Sequence, residues 1–200
     1  MIGNGSYSLA LAEKVINRRI SLCLCLSPLN TPQFWIPYSS KQSFAPITGE
    51  IFKESCKMSD FSNHGISLNF VRDNLPDSHK SVVRRLQFQK KPFERGKLLS
   101  VLSGNILDFA SHIRSSSEIY GKDVFEIPST INCKLPWVPC GFAHGFLVLE
   151  YSKVHYEVTG EHNKKWKGGI IWDDPLLNVN WQVSKPHLTE GLVSQIRTVN

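Results

Sequence analysis

Short runs of β-favouring residues alternate with turn signals from residue 82 onward, and this alternation constrains the fold most strongly. Runs rich in Val, Ile, Leu, Phe and Tyr lie at 82–89, 97–101, 106–114, 124–128, 146–151, 154–159 and 170–172. Turn signals lie at 103–105, 120–122, 139–141, 167–169 and 173–175. Several short strands at such close spacing are typical of a sandwich or barrel. The sequence therefore predicts an all-β domain.

The run at 106–114 predicts a strand with two different faces. One face carries the apolar residues Leu107, Phe109 and Ile113. The other face carries Asp108, Ala110, His112 and Arg114. Because side chains alternate along a strand, we expect this strand to separate a packed face from a polar one. A polar interior face indicates a barrel that holds a ligand.

Composition excludes several classes of protein. The 200 residues are 41% hydrophobic and 20% charged, as in an ordinary globular domain. No apolar run approaches the roughly 18 residues that a membrane-spanning helix needs, so we expect no membrane partner. The five cysteines show no paired C-x-x-C spacing and no secreted-scaffold density. Thiols in a reducing compartment are the better interpretation, which predicts a cytoplasmic protein.

The net charge of +6 favours an anionic partner. The densest basic stretch runs from Arg84 to Lys97, and its cations are interleaved with apolar residues that indicate strands. A groove for one diphosphate needs only two or three cations, whereas a nucleic-acid surface needs many more phosphate contacts. We therefore expect a small phosphorylated ligand and no nucleic acid. A solvated charged rim is the structural alternative.

The first 45 residues differ from the rest. Arg18 and Arg19 precede the apolar run 20–26, which Ser27 and Pro28 then break. An export signal has a related layout, but this run is short and lacks a small-residue cleavage site. We predict a peripheral or poorly ordered extension over 1–45 and one domain over 46–200.

The most specific pattern is W-V-P-C-G-F-A-H-G-F-L-V-L at 137–149, followed by Tyr156 and by G-I-I-W-D-D-P at 169–175. It resembles the dTDP-4-dehydrorhamnose 3,5-epimerase family of RmlC-like cupins, with its W-I-P-x-G-F-A-H-G-F, Y-K-x-T and G-I-x-W-D-D-P. Upstream segments at 70–74, 83–89, 96–98 and 106–114 are similar to further family motifs. The resemblance covers about residues 49 to 182.

This resemblance implies a cupin double-stranded β-helix, or jelly-roll barrel, with a few short peripheral helices, assembled as a homodimer. It implies action on a dTDP-4-keto-6-deoxy sugar, as in rhamnose-type deoxysugar biosynthesis. A base removes the acidic proton beside the ketone, and an acid on the opposite face returns one. We expect no cofactor and no metal, because the H-x-H plus glutamate spacing of metal-binding cupins is absent around His144.

The resemblance also implies roles for individual residues. Tyr156 matches the general acid, and Lys97 matches a cation that holds the keto oxygen as it becomes an enolate. Arg84 matches an arginine associated with the phosphates, for which a bidentate donor is suited. Asp174 matches the carboxylate that orients the catalytic histidine, and His144 is expected to line the pocket. The substrate-binding set further includes Asn74, Gln87 and Gln89.

The sequence departs from the family pattern where the base is expected. The catalytic histidine of L-R-G-L-H-Y-Q is Gln87 here, and an amide cannot accept a carbon-bound proton at neutral pH. His112 replaces an aspartate of the neighbouring V-D-I-R motif, and 160–162 replace a pair of tyrosines. Two hypotheses follow. Either His112 is a relocated base with Lys97 and Tyr156, or the protein is a catalytically impaired member that still binds nucleotide sugar.

Overall fold

The computed structural model describes residues 35–36, 59 and 69–188, and in this part of the chain strands dominate. The strands are β1 Trp35–Ile36, β2 Arg72–Asn74, β3 Asp77–Ser78, β4 Val82–Gln89, β5 Lys97–Ser103, β6 Ile106–His112, β7 Asp123–Glu126, β8 Leu135–Val138, β9 Phe142–Val148, β10 Ser152–Val158, β11 Lys167–Ile170 and β12 His187–Leu188. A 3₁₀ turn spans Lys164–Trp166. Within the same residues, no helix is long and apolar enough to cross a membrane.

The strands form two sheets. The first sheet has the order β1-β8-β5-β10-β2, and β3 also pairs with β10. The second sheet has the order β11-β4-β9-β6-β7, and β12 pairs with β4 in parallel. The other pairings are antiparallel, and most neighbours are distant in sequence, as in a jelly roll.

A hydrophobic cluster lies between the sheets. From the first sheet it takes Leu99, Val101, Val138 and Val154, and from the second it takes Ile106, Ala110, Phe142, Phe146 and Val148. These residues alternate along their strands, so each sheet turns one face toward the other. We call these the inner faces.

A second hydrophobic cluster covers the outer face of the second sheet. It contains Leu86, Leu107, Phe109 and Leu147, and the buried Trp181 packs edge-on against Phe109. The second sheet is thus covered on both faces, and every residue of β6 is buried. The expected division of β6 into an apolar and a polar face is present, but the polar face is also enclosed.

The glycines of two predicted turns have the backbone geometry that such turns require. Gly104 has φ +75° and Gly121 has φ +72°, a region that L side chains rarely adopt. One turn prediction was wrong, since 167–169 belong to β11. A Cβ at Gly168 would collide with the Phe88 ring, so a glycine here accommodates the neighbouring strand rather than a turn. The predicted strand at 146–151 is β9, which begins at Phe142 and ends at Val148.

The all-β prediction is confirmed, and apart from the helical Ser59 the described residues are helical only in the 3₁₀ turn. Most of the predicted extension over 1–45 lies outside the described residues. Its described part, β1, pairs with β8 through Trp35 opposite Pro136 and Ile36 opposite Leu135. The boundary between 45 and 46 therefore stays a prediction.

Candidate functional site

An open pocket lies between the inner faces, near the ends of β4 and β10 and the beginnings of β5 and β9. Its empty volume, which includes space open to solvent, is about 550 Å³. Apolar parts of its wall come from Phe88, Val138, Gly141 and Phe142. The polar and charged lining residues are Gln87, Gln89, Arg95, Lys97, Tyr156, His162 and Lys167. The predicted residues Gln87, Gln89, Lys97 and Tyr156 are thus brought together.

Tyr156 and Lys97 lie on the first sheet. In the β5–β10 ladder Lys97 is opposite Val158 and Tyr156 is opposite Leu99, so the two side chains are diagonal neighbours on the inner face. Gln87 and Gln89 lie on β4 of the second sheet. The pocket therefore has a wall with a phenol and an amine that faces a wall with two amides.

A chain of hydrogen bonds leads from the pocket into the second sheet. Lys97 Nζ lies 3.3 Å from His144 Nδ1, and His144 Nε2 lies 2.8 Å from Asp108 Oδ1. Lys97 Nζ also donates to the Gln87 carbonyl at 3.5 Å. His144 and Asp108 are 5% and 1% exposed, respectively. His144 therefore does not line the pocket itself but contacts Lys97, which does.

The surroundings of Lys97 and His144 lower the pKa of both groups. Burial, with repulsion from Arg95 and Lys167, lowers the pKa of Lys97 to about 7 against the attraction of Asp108. Burial also lowers the pKa of His144, and the Lys97 charge adds to that effect. A neutral His144 with its proton on Nε2 donates to Asp108 and accepts from Lys97 at Nδ1. This tautomer fixes Lys97 as a hydrogen-bond donor that faces the pocket.

Cationic groups gather around His162 at the pocket. Burial lowers the pKa of His162, and Arg95, Lys167, Arg72 and Lys164 lower it further by repulsion. Arg95 and Lys167 line the pocket. Two cations beside a polar pocket are suited to bind an anion such as a diphosphate.

The segment between β10 and β11 carries His162 and is fixed to the pocket wall. The Asn163 amide donates to Gln89 Oε1 at 3.0 Å, and the Gly96 amide donates to Thr159 Oγ1 at 2.9 Å. The Lys90 amide donates to the Trp166 carbonyl at 2.8 Å. These bonds tie the segment to β4, to the start of β5 and to the connection between them.

Arg84, which was predicted to bind phosphates, contacts other side chains of the protein. Its Nη2 and Nε donate to Ser78 Oγ at 2.9 and 3.2 Å, and its guanidinium lies 6.0 Å from the centre of the Phe146 ring. It is not among the residues that line the pocket. The register of β4 against β9 shifts between Arg84 and Gln87, so that Arg84 pairs with Phe146 and Gln87 with His144, two β9 residues of the same inner face.

Three further predicted residues lie outside the pocket wall. Asn74 pairs with Tyr156 across β2 and β10. The buried His112 packs edge-on against Phe142, with 4.6 Å between ring centres. Asp174 accepts from the Leu176 and Leu177 amides at 2.9 and 3.4 Å, so the structure shows a turn-forming carboxylate where an orienting one was expected.

Four residues of the site were absent from the predicted set: Asp108, Arg95, His162 and Lys167. Asp108 shares the polar face of its strand with His112, and that alternation is a signal that could have identified it. Nothing in the local sequence indicates that Arg95 meets the segment that carries His162 and Lys167. Their proximity depends on the pairing of distant strands.

Comparison with known proteins identifies related sequences. The family model described as dTDP-4-dehydrorhamnose 3,5-epimerase matches residues 48–195. A dTDP-4-dehydrorhamnose 3,5-epimerase of Shigella flexneri is 38% identical over 127 residues, 63% of this chain and 70% of that protein. One of Sinorhizobium fredii is 36% identical over 148 residues, 73% of this chain and 72% of that protein.

Solved structures show the same architecture. A dTDP-6-deoxy-D-glucose-3,5-epimerase of Legionella pneumophila, in complex with dTDP-4-keto-L-rhamnose, has a TM-score of 0.66 at 35% identity, covering 70% of this chain and 75% of that one. A dTDP-4-dehydrorhamnose 3,5-epimerase of Bacillus anthracis, with TDP and pyrophosphate bound, has a TM-score of 0.68 at 33% identity, covering 70% and 81%. Both of those proteins hold phosphorylated ligands.

Proposed function

This chain belongs to the dTDP-4-dehydrorhamnose 3,5-epimerase family, and from that premise we propose that it is an isomerase of a dTDP-4-keto-6-deoxy sugar. It inverts configuration beside the ketone by removing a proton from one face of the ring and returning one to the other. The observation that carries this function is that Lys97 and Tyr156 are diagonal neighbours on one pocket wall, with Lys97 held by the buried His144–Asp108 pair.

Each of these groups has a role in the chemistry. When the carbon–hydrogen bond breaks, its electrons form a carbon–carbon double bond and the keto oxygen becomes an enolate. The Lys97 ammonium donates to that oxygen and stabilises the charge as it develops. The Tyr156 hydroxyl then gives its proton to the carbon, and the ketone forms again. The oxidation state does not change, so these steps need no redox cofactor.

Arg95 and Lys167 are placed to bind the diphosphate. Both line the pocket, and the nearby Arg72 and Lys164 add positive charge. Arg84, which the family resemblance associates with the phosphates, is engaged by Ser78 and is separated from the pocket wall. We therefore assign the diphosphate to Arg95 and Lys167.

Gln87 occupies the position of the family's catalytic histidine in the resemblance and lines the pocket as that role requires. Its amide can hydrogen-bond a sugar hydroxyl or the ketone, but it cannot take a proton from carbon. We propose that Gln87 and Gln89 bind the sugar and that another residue supplies the base.

We also propose that the protein is a cytoplasmic homodimer. Cys140 is a free thiol in the described part of the chain, which suits a reducing compartment. The family resemblance supports the dimer. Sedimentation at several concentrations measures its assembly directly.

Solvent exchange tests the proposed reaction. With dTDP-4-keto-6-deoxyglucose in deuterated water, we expect the enzyme to exchange ring protons beside the ketone, followed by NMR or mass spectrometry. Tyr156→Phe, which removes one hydroxyl, should slow formation of the inverted product about 10²–10⁴-fold. Binding of dTDP without exchange by the wild type would contradict the isomerase and indicate a nucleotide-sugar-binding protein.

A further inference from the structure

Inversion at a ring carbon places a geometric requirement on the base. The acid and the base must approach opposite faces of the sugar, so the base belongs on the side of the pocket that faces Tyr156. Tyr156 is on the inner face of the first sheet. The base is therefore expected on the side of the second sheet, near Gln87 and Gln89 of β4.

Three basic groups that the family resemblance brings to this region do not meet this requirement. His144 is on the second sheet, but Lys97 and Asp108 occupy its two ring nitrogens. Lys97 is on the same sheet as Tyr156. His112 packs against Phe142 and does not line the pocket.

His162 meets the requirement. It lines the pocket, and the amide of the next residue, Asn163, is hydrogen-bonded to the Gln89 side chain at 3.0 Å. Gln89 is two residues from Gln87 on the same strand, so His162 is held on the β4 side. Among the described residues, no hydrogen bond engages either of its ring nitrogens, which leaves a lone pair for the substrate.

The charges around His162 suit a base. Arg95, from the connection between β4 and β5, Arg72 of β2, Lys164 of the 3₁₀ turn and Lys167 of β11 all lower its pKa, in addition to burial. The free imidazole is thus neutral at physiological pH. A bound diphosphate would offset these cations and stabilise the imidazolium that forms when the base takes up a proton.

We propose that His162 is the base that abstracts the ring proton, in place of the histidine that the family has at Gln87. This assignment rests on the proposed isomerase function. A neutral ring nitrogen of His162 accepts the proton, and the carbon–hydrogen electron pair passes to the enolate held by Lys97. Tyr156 protonates the opposite face and becomes a phenolate. Loss of a proton from His162 to water and gain of one by Tyr156 restore the starting state.

The test compares deuterium exchange into dTDP-4-keto-6-deoxyglucose by the wild type, His162→Gln, His162→Asn and a control, His155→Gln. His155 lies on β10 next to Tyr156, but alternation directs it to the other face of the sheet. We expect both His162 variants to lower exchange about 10²–10⁴-fold while their dTDP affinity and melting temperature stay near wild type. His155→Gln should exchange at the wild-type rate.

A second variant separates a chemical role from a structural one. His162→Gln combined with Gln87→His returns a histidine to the family position, and we expect it to recover part of the lost exchange. Wild-type exchange that persists in both His162 variants would overturn the assignment and leave the isomerase intact. Loss of exchange together with loss of dTDP binding would also overturn it, as a structural effect. Absence of exchange in the wild type would overturn the isomerase function as well.

Discussion

Lys97 is the residue at which stability and function are most directly opposed. The proposed mechanism requires its charge to stabilise the enolate, yet burial and the nearby Arg95 and Lys167 lower its pKa to about 7. A lysine with a lowered pKa in the folded state binds its proton more weakly there than in the unfolded chain. Lys97 therefore destabilises the folded state at every pH at which the lysine is protonated in the unfolded chain.

Lys97→Met is expected to abolish most activity and to stabilise the fold. The methionine side chain fills a similar volume without a buried charge. We expect the free energy of unfolding to rise by about 1–2 kcal/mol near pH 7, a net value that includes the lost hydrogen bond to His144. Between about pH 7 and the ordinary lysine pKa of 10.5, the unfolded chain holds a proton that the folded chain lacks. Wild-type stability therefore rises with pH in this window, and the advantage of Lys97→Met shrinks.

Thermal or urea unfolding of both proteins at pH 7 and pH 9.5 measures this difference. Lys167→Met is the matched control, because it removes a pocket cation that is largely exposed. An equal stability difference at both pH values would show that the Lys97 pKa is not lowered by folding.

At the residue scale, some of the residues predicted from motif positions line the pocket and others do not. Lys97, Tyr156, Gln87 and Gln89 were predicted through motif positions, and the structure places them together. Asp174 was also predicted through a motif position, but it is not among the residues that line the pocket. Its carboxylate instead accepts from the Leu176 amide, as a carboxylate in an Asp-Asp-Pro turn can. Motif position alone cannot distinguish these two uses of an aspartate.

At the scale of single elements, the close approach of β9 to β4 determines how β4 presents its side chains. Gly145 of β9 faces the β4 backbone where the register shifts between Arg84 and Gln87. A Cβ at Gly145 would lie 2.5 Å from the Arg84 carbonyl oxygen and 2.9 Å from the Leu86 amide nitrogen. Only a glycine allows the strands to pair at this distance.

Gly145→Ala is therefore expected to destabilise the fold by about 1–3 kcal/mol or more, because the β4 backbone must move. It should also weaken sugar binding, since Gln87 follows the displaced segment. Gly169→Ala is the control, because its Cβ would approach the Leu86 oxygen at 3.4 Å. Urea unfolding and titration with a dTDP-hexose measure both effects, and equal stability of the two variants would contradict the role of Gly145.

For the whole molecule, strand content was predictable and strand partners were not. The period-two pattern of β6 correctly assigned Asp108 and Phe109 to different faces, because alternation is local. Local alternation does not show that Trp181 and its neighbours cover the outer face of the second sheet. The burial of both faces of β6 was therefore not predicted. The basic group around His162 has the same origin in part, since long-range contacts bring Arg72 of β2 and Arg95 of the β4–β5 connection to the segment that carries His162.

The position of the boundary between the N-terminal extension and the domain determines which strands the domain contains. The second of the two units into which the chain divides begins at Gln33, and its first described strand, β1, pairs with β8. A chain that starts at residue 33 keeps this strand. A chain that starts at residue 41 leaves the edge of β8 unpaired and open to other strands.

We expect the chain that starts at residue 33 to fold and bind dTDP like the full-length protein, because its sheets keep all their described strands. The chain that starts at residue 41 should also fold, since the site and both hydrophobic clusters remain. Loss of the β1–β8 hydrogen bonds should cost it about 1–2 kcal/mol and promote self-association through β8. Thermal unfolding and size-exclusion chromatography compare the two. Equal melting temperatures would show that β1 adds no stability and would support a boundary near residue 45.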